Sequence, residues 1–204
     1  MFAARETDAA PQSRTKKVDV PPPGGPAAPG AALSFEDVYD EHAELVWRGL
    51  RRLGVPEASV DDALQDVFVV VHRRLREFEG KSTLRTWLFG IVLGIARNHR
   101  RSARRRAPEG ALAAEVGDDI AAPDSRGPEG RAEDAEAVRT LYTILDELDE
   151  DRRAVLVMAD LEEMTAPEIA AALSLNVNTV YARIRAARQA FEQAVQRHRA
   201  KEAR

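Results

Sequence analysis

The chain contains no cysteine, which excludes disulfide bonds and metal sites built on thiolates. The four histidines, at positions 42, 72, 99 and 198, are scattered and do not have metal-ligand spacing. No apolar run approaches the roughly 18 residues of a membrane span, and the N-terminus lacks the charged-then-apolar pattern of a secretory signal. We therefore expect a cytoplasmic protein without a metal or cofactor.

The alternating apolar pattern of a β-strand is also missing, so an all-α fold is predicted. Apolar residues recur at helical spacing in three stretches between residues 34 and 106. Ser34, Ser59 and either Ser82 or Thr83 are suitable N-caps for these three helices, and Gly54 is expected to end the first. Short loops join the three stretches, which together predict a small three-helix bundle.

Two segments have little that could form a core. Residues 1–33 include PPPGGPAAPG and are predicted to be a disordered tail. Residues 107–137 contain Pro108, Pro123 and Pro128 and hold nine acidic and two basic residues, as expected of a flexible acidic linker. Because a loop of this length is unusual inside one compact domain, we divide the chain into helical domains at 34–106 and 138–204.

Net charge is −4, but positive charge is concentrated in two zones. Residues 81–106 hold eight basic residues and no acidic one, and residues 177–204 hold seven basic and two acidic. By contrast, residues 34–80 hold eleven acidic and six basic residues. Since local field decides where a polyanion docks, this distribution predicts two DNA-contacting elements, although solvated helix ends would give a similar pattern.

A helix-turn-helix is indicated by TAPEIAAALSLNVNTVYARIRAARQAF, residues 165–191. Thr165 and Glu168 form a capping box, and Ser174 begins a tight turn before Asn176, which can cap a second helix. The apolar residues of that second helix are spaced by three and four. The opposite face and its flanks offer side chains to DNA, namely Asn178, Thr179, Tyr181, Ala182, Arg183, Arg185 and Arg188.

With these motifs in order, the chain resembles the extracytoplasmic-function (ECF) group of bacterial RNA polymerase sigma factors, in the sigma-70 family. The most specific carriers are DDALQDVF (61–68), FEGKSTLRTWL (78–88) and the terminal helix-turn-helix. The resemblance covers about residues 34–106 and 138–196. It implies an all-helical, noncatalytic initiation factor with a region 2-like domain, which binds polymerase core and the −10 element, and a region 4-like domain, which binds the −35 duplex.

The resemblance also implies roles for particular residues. The helix carrying DDALQDVF would dock on the clamp helices of the large polymerase subunit, and an anti-sigma factor would be a further protein partner. The expected core-binding residues are Asp62, Gln65, Asp66 and Arg73. The expected −10 residues, which capture an unstacked base or hold phosphates, are Phe78, Lys81, Ser82, Thr83, Arg85, Arg97, Arg100 and Arg101. Phe78 could equally cap the hydrophobic core.

Several positions depart from the family pattern. Gly94 and His99 stand where relatives often carry Asn and Asp, and Tyr181 and Ala186 stand at usual Lys or Arg positions. The resemblance therefore does not determine which bases are contacted at either promoter element. Ser174 occupies a turn position where Gly is usual and where a left-handed backbone costs about 1 kcal/mol.

Three other classes of protein are alternatives to this reading. A helix-turn-helix regulator that is not a polymerase subunit remains the main alternative, although a response regulator would need a strand-rich receiver domain. A helical enzyme would need convergent catalytic groups, which the carboxylates at 61, 62 and 66 do not supply. An adaptor without DNA contact is disfavoured by the basic stretch at 97–106.

Overall fold

A computed structural model describes residues 33–106 and 128–202, and all regular structure in those ranges is helical. Seven α-helices lie within them, and no strand does, which confirms the all-α prediction for this part of the chain. The tail at 1–32 and the segment at 107–127 lie outside the described residues. The helices are α1 (Phe35–Arg52), α2 (Val60–Arg74), α3 (Leu84–Arg106), α4 (Pro128–Asp146), α5 (Glu150–Leu156), α6 (Ala166–Leu173) and α7 (Val177–Glu202).

Helices α1, α2 and α3 form a bundle, which we call the N-terminal half (33–106). Ser34 caps α1 by accepting from the backbone N–H groups of Glu36 and Asp37. The chain leaves α1 at Gly54, whose φ of 88° is open to glycine at little cost. The fully buried side chains come from all three helices, including Leu50, Val67 and Val92, so the apolar stripes read from the sequence do face one another.

The start of α2 differs from the expectation. A single 3₁₀ turn, Glu57–Ser59, precedes α2, and the Ser59 side chain makes no capping hydrogen bond. The predicted Ser59 cap is therefore wrong, because the 3₁₀ turn already continues into the helix. Of the two candidates before α3, Thr83 is the cap: its Oγ1 accepts from the N–H of Thr86 at 3.1 Å.

Helices α4 to α7 form the C-terminal half (128–202). Helix α4 begins at Pro128 rather than near Val138, so the last ten residues assigned to the linker are helical. Pro128 suits that position because the first turn of a helix needs no donor from it. Asp149 caps α5, and a π-helical segment, Val157–Leu161, follows it before the chain enters α6.

The two halves pack against each other along α3 and α6. One cluster of buried apolar side chains runs through both, from Leu88 and Phe89 in α3 to Ile169 in α6 and Val180 in α7. At the closest approach, a Cβ added to Gly90 would lie 3.7 Å from the carbonyl oxygen of Ala172. Across residues 33–106 and 128–202, no helix combines the length and apolarity that crossing a bilayer requires.

Candidate nucleic-acid interface

The turn between α6 and α7 has the geometry that the sequence predicts. Thr165 and Glu168 form a reciprocal capping box at the start of α6. Ser174 ends α6 in the left-handed region, with φ 53° and ψ 45°. The side-chain oxygen of Asn176 accepts from the N–H of Asn178 at 2.8 Å and so caps α7. These local signals fix the angle at which α7 leaves the turn.

Helix α7 buries one side and presents the other to solvent. Val180, Ala187 and Ala194 are fully buried, while Val177, Ile184 and Phe191 are half-buried. Six of the seven predicted −35 residues are exposed, namely Asn178, Thr179, Tyr181, Ala182, Arg185 and Arg188, and Arg183 is half-buried. The N-terminal turns of α7 therefore present most of the predicted −35 side chains to solvent.

Two of the predicted −35 arginines are paired with carboxylates of the same half. The Nε of Arg188 donates to both carboxylate oxygens of Asp160, at 3.0 and 3.2 Å. This pairing raises the pKa of the Arg188 guanidinium. Arg183 lies 3.7 Å from Asp151. These ion pairs tie both guanidinium groups to acidic side chains of the C-terminal half.

The loop before α3 is more ordered than a free base trap would be. Phe78 is half-buried and packs on Trp87, with ring centroids 5.5 Å apart. Lys81 pairs with Glu79, which raises the pKa of the lysine ammonium. The Thr83 hydroxyl is occupied in capping α3, 2.8 Å from the hydroxyl of Thr86. Phe78 therefore contacts Trp87, which itself packs against the core.

Two of the predicted −10 arginines, Arg100 and Arg101, lie in the last two turns of α3 and differ in exposure. Arg101 is exposed, as are Arg104 and Arg105 further along. Arg100 is instead buried, and its Nη1 donates to the carbonyl oxygen of Leu53 at 3.2 Å. The prediction that Arg100 lies on a phosphate-facing surface does not match this position, since helical spacing alone did not show that the end of α1 covers that side of α3.

Arg85 and Arg97 reach across to the C-terminal half. Arg85 donates from Nη2 to Glu162 at 3.0 Å. Arg97 pairs through Nε with Glu150 at 2.8 Å and through Nη2 with Asp151 at 3.1 Å. Two of the side chains predicted to hold DNA are thus neutralised by carboxylates of the other half.

The exposed side of α2 brings the predicted core-binding residues onto one face. Asp62, Gln65, Asp66 and Arg73 are all exposed. Asp66 contacts His99 of α3 at 2.8 Å. Val69 lies in the middle of this face and is 47% exposed. Val69 was not among the residues predicted for this face, because it follows two core residues, although its spacing from 62, 66 and 73 places it on the polar side.

Two family models match the chain, one for each half. The model described as Sigma-70 region 2 matches residues 38–106, and the model described as Sigma-70, region 4 matches residues 139–191. Together they span more than half of the chain, in the order that the fold presents them. The chain belongs to the sigma-70 family.

The relatives of this sigma factor place it in the ECF group of transcription initiation factors. It is 33% identical over 167 residues to the RNA polymerase sigma factor CnrH of Cupriavidus metallidurans, a match that covers 79% of this chain and 86% of CnrH. It is 30% identical over 146 residues to the ECF RNA polymerase sigma-E factor of Escherichia coli, covering 70% and 76% of the two chains.

Solved structures give the same fold. CnrH in complex with the cytosolic domain of CnrY matches this sigma factor with a TM-score of 0.58 at 28% identity, covering 79% of this chain and 87% of the other. The sigma factor RpoE of Bartonella quintana, in complex with the anti-sigma factor NepR, matches with a TM-score of 0.63 at 17% identity. That match covers 79% of this chain and 96% of the other, and shows the fold alone.

Proposed function

We propose that this sigma factor divides promoter recognition between its halves, with residues 34–106 acting as the region 2-like domain and 138–204 as the region 4-like domain. The observation that carries the proposal is the exposure of Asn178, Thr179 and Arg185 in the first turns of α7, directly after a capped left-handed turn. Amide and guanidinium groups in that position pair with adenine and guanine edges in the major groove. This face would read the −35 duplex.

The −10 element would meet the N-terminal half. Exposed Lys81 lies in the loop before α3, and exposed Arg101 lies towards the end of α3. Both could hold phosphates of the nontemplate strand. Ser82 and Thr83 lie between Phe78 and Arg85 in the loop that would receive an unstacked base. For Phe78 to serve as a stacking surface, it would have to leave Trp87, and base stacking of about 1–3 kcal/mol could offset that contact.

Polymerase core would bind the exposed face of α2. Asp62, Gln65, Asp66 and Arg73 supply polar contacts around the apolar side chain of Val69. An apolar residue ringed by polar ones is the usual composition of a protein interface centre. In this mechanism the factor performs no chemistry and acts in the cytoplasm, and the polymerase carries out nucleotidyl transfer.

A protein inhibitor is proposed as a further partner. The likeness to CnrH, which has been solved in complex with the cytosolic domain of CnrY, supports it. A groove of about 500 Å³ runs between α3 and α6, and Gly94 and Ala171 are among the residues that line it. Gly94→Leu, at a position where an added Cβ meets no atom within 4 Å, is expected to weaken binding of an anti-sigma factor while the protein still folds.

The experiment for this function measures promoter binding with and without core polymerase. Arg185→Ala should weaken core-dependent binding to a promoter duplex by about tenfold, the loss of one base-contacting side chain. Gln193→Ala, at an exposed position two turns further along α7, is the matched control and should bind normally. Equal affinity with and without core would instead favour the alternative, a regulator that is not a polymerase subunit.

A further inference from the structure

The start of α1 and one side of α2 form an aromatic surface that is open to solvent. The ring centroid of Phe35 lies 6.2 Å from that of Phe68 and 5.1 Å from that of His72. Tyr39 packs on the same Phe68 at 4.6 Å. Tyr39 is nevertheless 42% exposed, and His72 is exposed as well. We call these four residues the aromatic patch.

Exposed apolar side chains are concentrated around this patch. Within residues 33–106 and 128–202, the exposed large hydrophobic residues are Leu33, Tyr39, Val69 and Tyr181. Leu33 lies two residues before Phe35 in the chain. Val69 precedes His72 by three positions and so lies on the same side of α2. An apolar surface that continues over neighbouring residues in this way is typical of a docking site.

Negative charge accompanies the aromatic patch along α1. Residues 35–47 hold five acidic residues and no lysine or arginine. All five are exposed, namely Glu36, Asp37, Asp40, Glu41 and Glu44. A partner that complements this surface should therefore combine apolar groups with positive charge.

The N-terminal tail contains a segment with this chemistry. Residues 1–32 lie outside the described part of the structure, but their sequence shows RTKKVDVPPP at 14–23. Three basic residues, Arg14, Lys16 and Lys17, thus come directly before two valines and three prolines. Proline-rich segments dock on aromatic surfaces because the polyproline backbone is already extended and loses little entropy. The basic residues would complement the carboxylates of α1.

The same segment is within reach of the aromatic patch. Nine residues, GGPAAPGAA, separate Pro23 from Leu33. Fully extended, they span roughly 30 Å, and two adjacent glycines allow the chain to reverse its direction. Because Leu33 lies next to the patch in the chain, this short connection holds residues 14–23 at an effective concentration of about the millimolar range. Even weak docking would then be populated.

We propose that residues 14–23 dock on the aromatic patch of their own chain. The prolines contact the rings of Phe35 and Tyr39, and the basic residues lie near the carboxylates of α1. The docked segment borders Val69 and therefore lies beside the candidate polymerase-binding face of α2. This docking involves the N-terminal half alone and does not depend on promoter recognition.

Limited trypsin digestion of the full chain tests the docking, because the segment carries its own cleavage sites. Mass spectrometry follows cleavage after Lys17 and, as an internal reference, after Arg5, which lies outside residues 14–23. Cleavage follows the population of undocked molecules. Tyr39→Ala should speed cleavage after Lys17 by about fivefold, as expected if about four-fifths of the molecules are docked. Tyr181→Ala, at the exposed tyrosine of α7, is the matched control and should not.

A charge variant repeats the test without changing the aromatic rings. Asp40→Asn/Glu41→Gln removes two exposed carboxylates of α1 and should also speed cleavage after Lys17. Glu163→Gln/Glu192→Gln removes two exposed carboxylates of the C-terminal half and should leave the rate unchanged. Circular dichroism checks that each variant is folded.

A tail variant tests the other side of the contact, where the folded helices are untouched. Replacement of all three residues at 21–23 by alanine should speed cleavage after Lys17 as Tyr39→Ala does. Pro26→Ala/Pro29→Ala, in the connecting stretch, should not. Together, the three variants and their controls separate the loss of docking from a loss of folding.

Three results would overturn the docking. One is an unchanged rate after Lys17 in the aromatic, charge and tail variants, which would leave the patch to another protein such as polymerase core. Another is protection that grows with protein concentration, since residues 14–23 would then bind a second copy of the chain. The third is equal acceleration after Arg5, which would show a general change in the tail rather than release of residues 14–23.

Discussion

Ser174 shows how one residue fixes the turn on which the candidate −35 surface depends. Its backbone is left-handed, with φ 53°, in a region that residues with a Cβ enter at a cost. The N–H of Leu175 nevertheless donates to the carbonyl oxygen of Ala170 at 2.9 Å, which closes α6 in the manner of a Schellman motif. The turn is thus held by the hydrogen bonds around it, while the residue at its centre is under strain.

Ser174→Gly is expected to stabilise the protein by about 1 kcal/mol, because glycine enters the left-handed region without that cost. Chemical unfolding in urea measures the change. Ser102→Gly, inside α3, is the control and should destabilise by roughly 0.5–1 kcal/mol. A loss of stability in Ser174→Gly would show that the serine side chain, rather than its backbone, matters at this turn.

Caps are the features of the elements that the sequence predicted best. Ser34, Thr165 and Asn176 all make the expected hydrogen bonds, because a cap involves only residues two or three positions apart. Ser59 failed since the same local pattern also permits a 3₁₀ turn. The start of α4 was missed because the proline and glycine residues before Val138 favoured a linker, although Pro128 is well suited to a first helical turn.

The capping box of α6 gives the fold a defined response to acid. Hydrogen bonds from the backbone and hydroxyl of Thr165 lower the pKa of Glu168 below its ordinary value. A lowered pKa means that the carboxylate contributes stability above the ordinary glutamate pKa, and that this contribution is lost as pH falls through the folded-state pKa. Protonation of Glu168 should therefore loosen the start of the helix-turn-helix.

Glu168→Gln tests that response, since glutamine can cap the helix but cannot titrate. Between about pH 5 and pH 3, around the ordinary glutamate pKa, the free energy of unfolding of the unchanged protein should fall more steeply than that of the variant. Urea titrations across this range provide the comparison. Parallel acid slopes for the two proteins would mean that the capping carboxylate is not linked to folding.

Helix α2 carries the candidate polymerase-binding face, and Val69 is its apolar centre. Because the side chain is 47% exposed, Val69→Asp should leave folding intact. It should weaken binding to core polymerase by about fivefold or more, the loss of a contact worth at least 1 kcal/mol. Competition against a labelled sigma factor for core measures this, with Val69→Ile as the conservative control. Equal affinity of both variants would remove α2 from the interface.

At the scale of the whole molecule, the sequence indicated where charge lies but not what neutralises it. The basic stretch of α3 was expected to face DNA, yet Arg85 and Arg97 contact Glu162, Glu150 and Asp151 across the chain. Neither helical periodicity nor a capping signal can indicate an ion pair between residues so far apart in sequence. The division into two bundles could be predicted from local patterns. The core that the bundles share and the ion pairs between them depend instead on tertiary packing.

The burial of Arg153 and Glu162 has the same origin. Sequence patterns treat charged residues as solvent-facing, and these two became buried only because the end of α1 supplies acceptors and α1 and α3 supply guanidinium groups. Burial lowers the pKa of Arg153, and Asp146 counteracts this. The one sequence signal for the burial of these two residues is a charged residue next to apolar ones, such as Arg153 before Ala154 and Val155.

This chain directs RNA polymerase to promoters, and in vitro transcription on a library of genomic fragments measures that activity. Purified core with the protein should start RNA at a defined set of sites that core alone does not use, and Arg185→Ala should reduce those products about tenfold, as for the loss of one base contact. The same set of RNA ends with and without the protein would show that it does not direct polymerase to promoters.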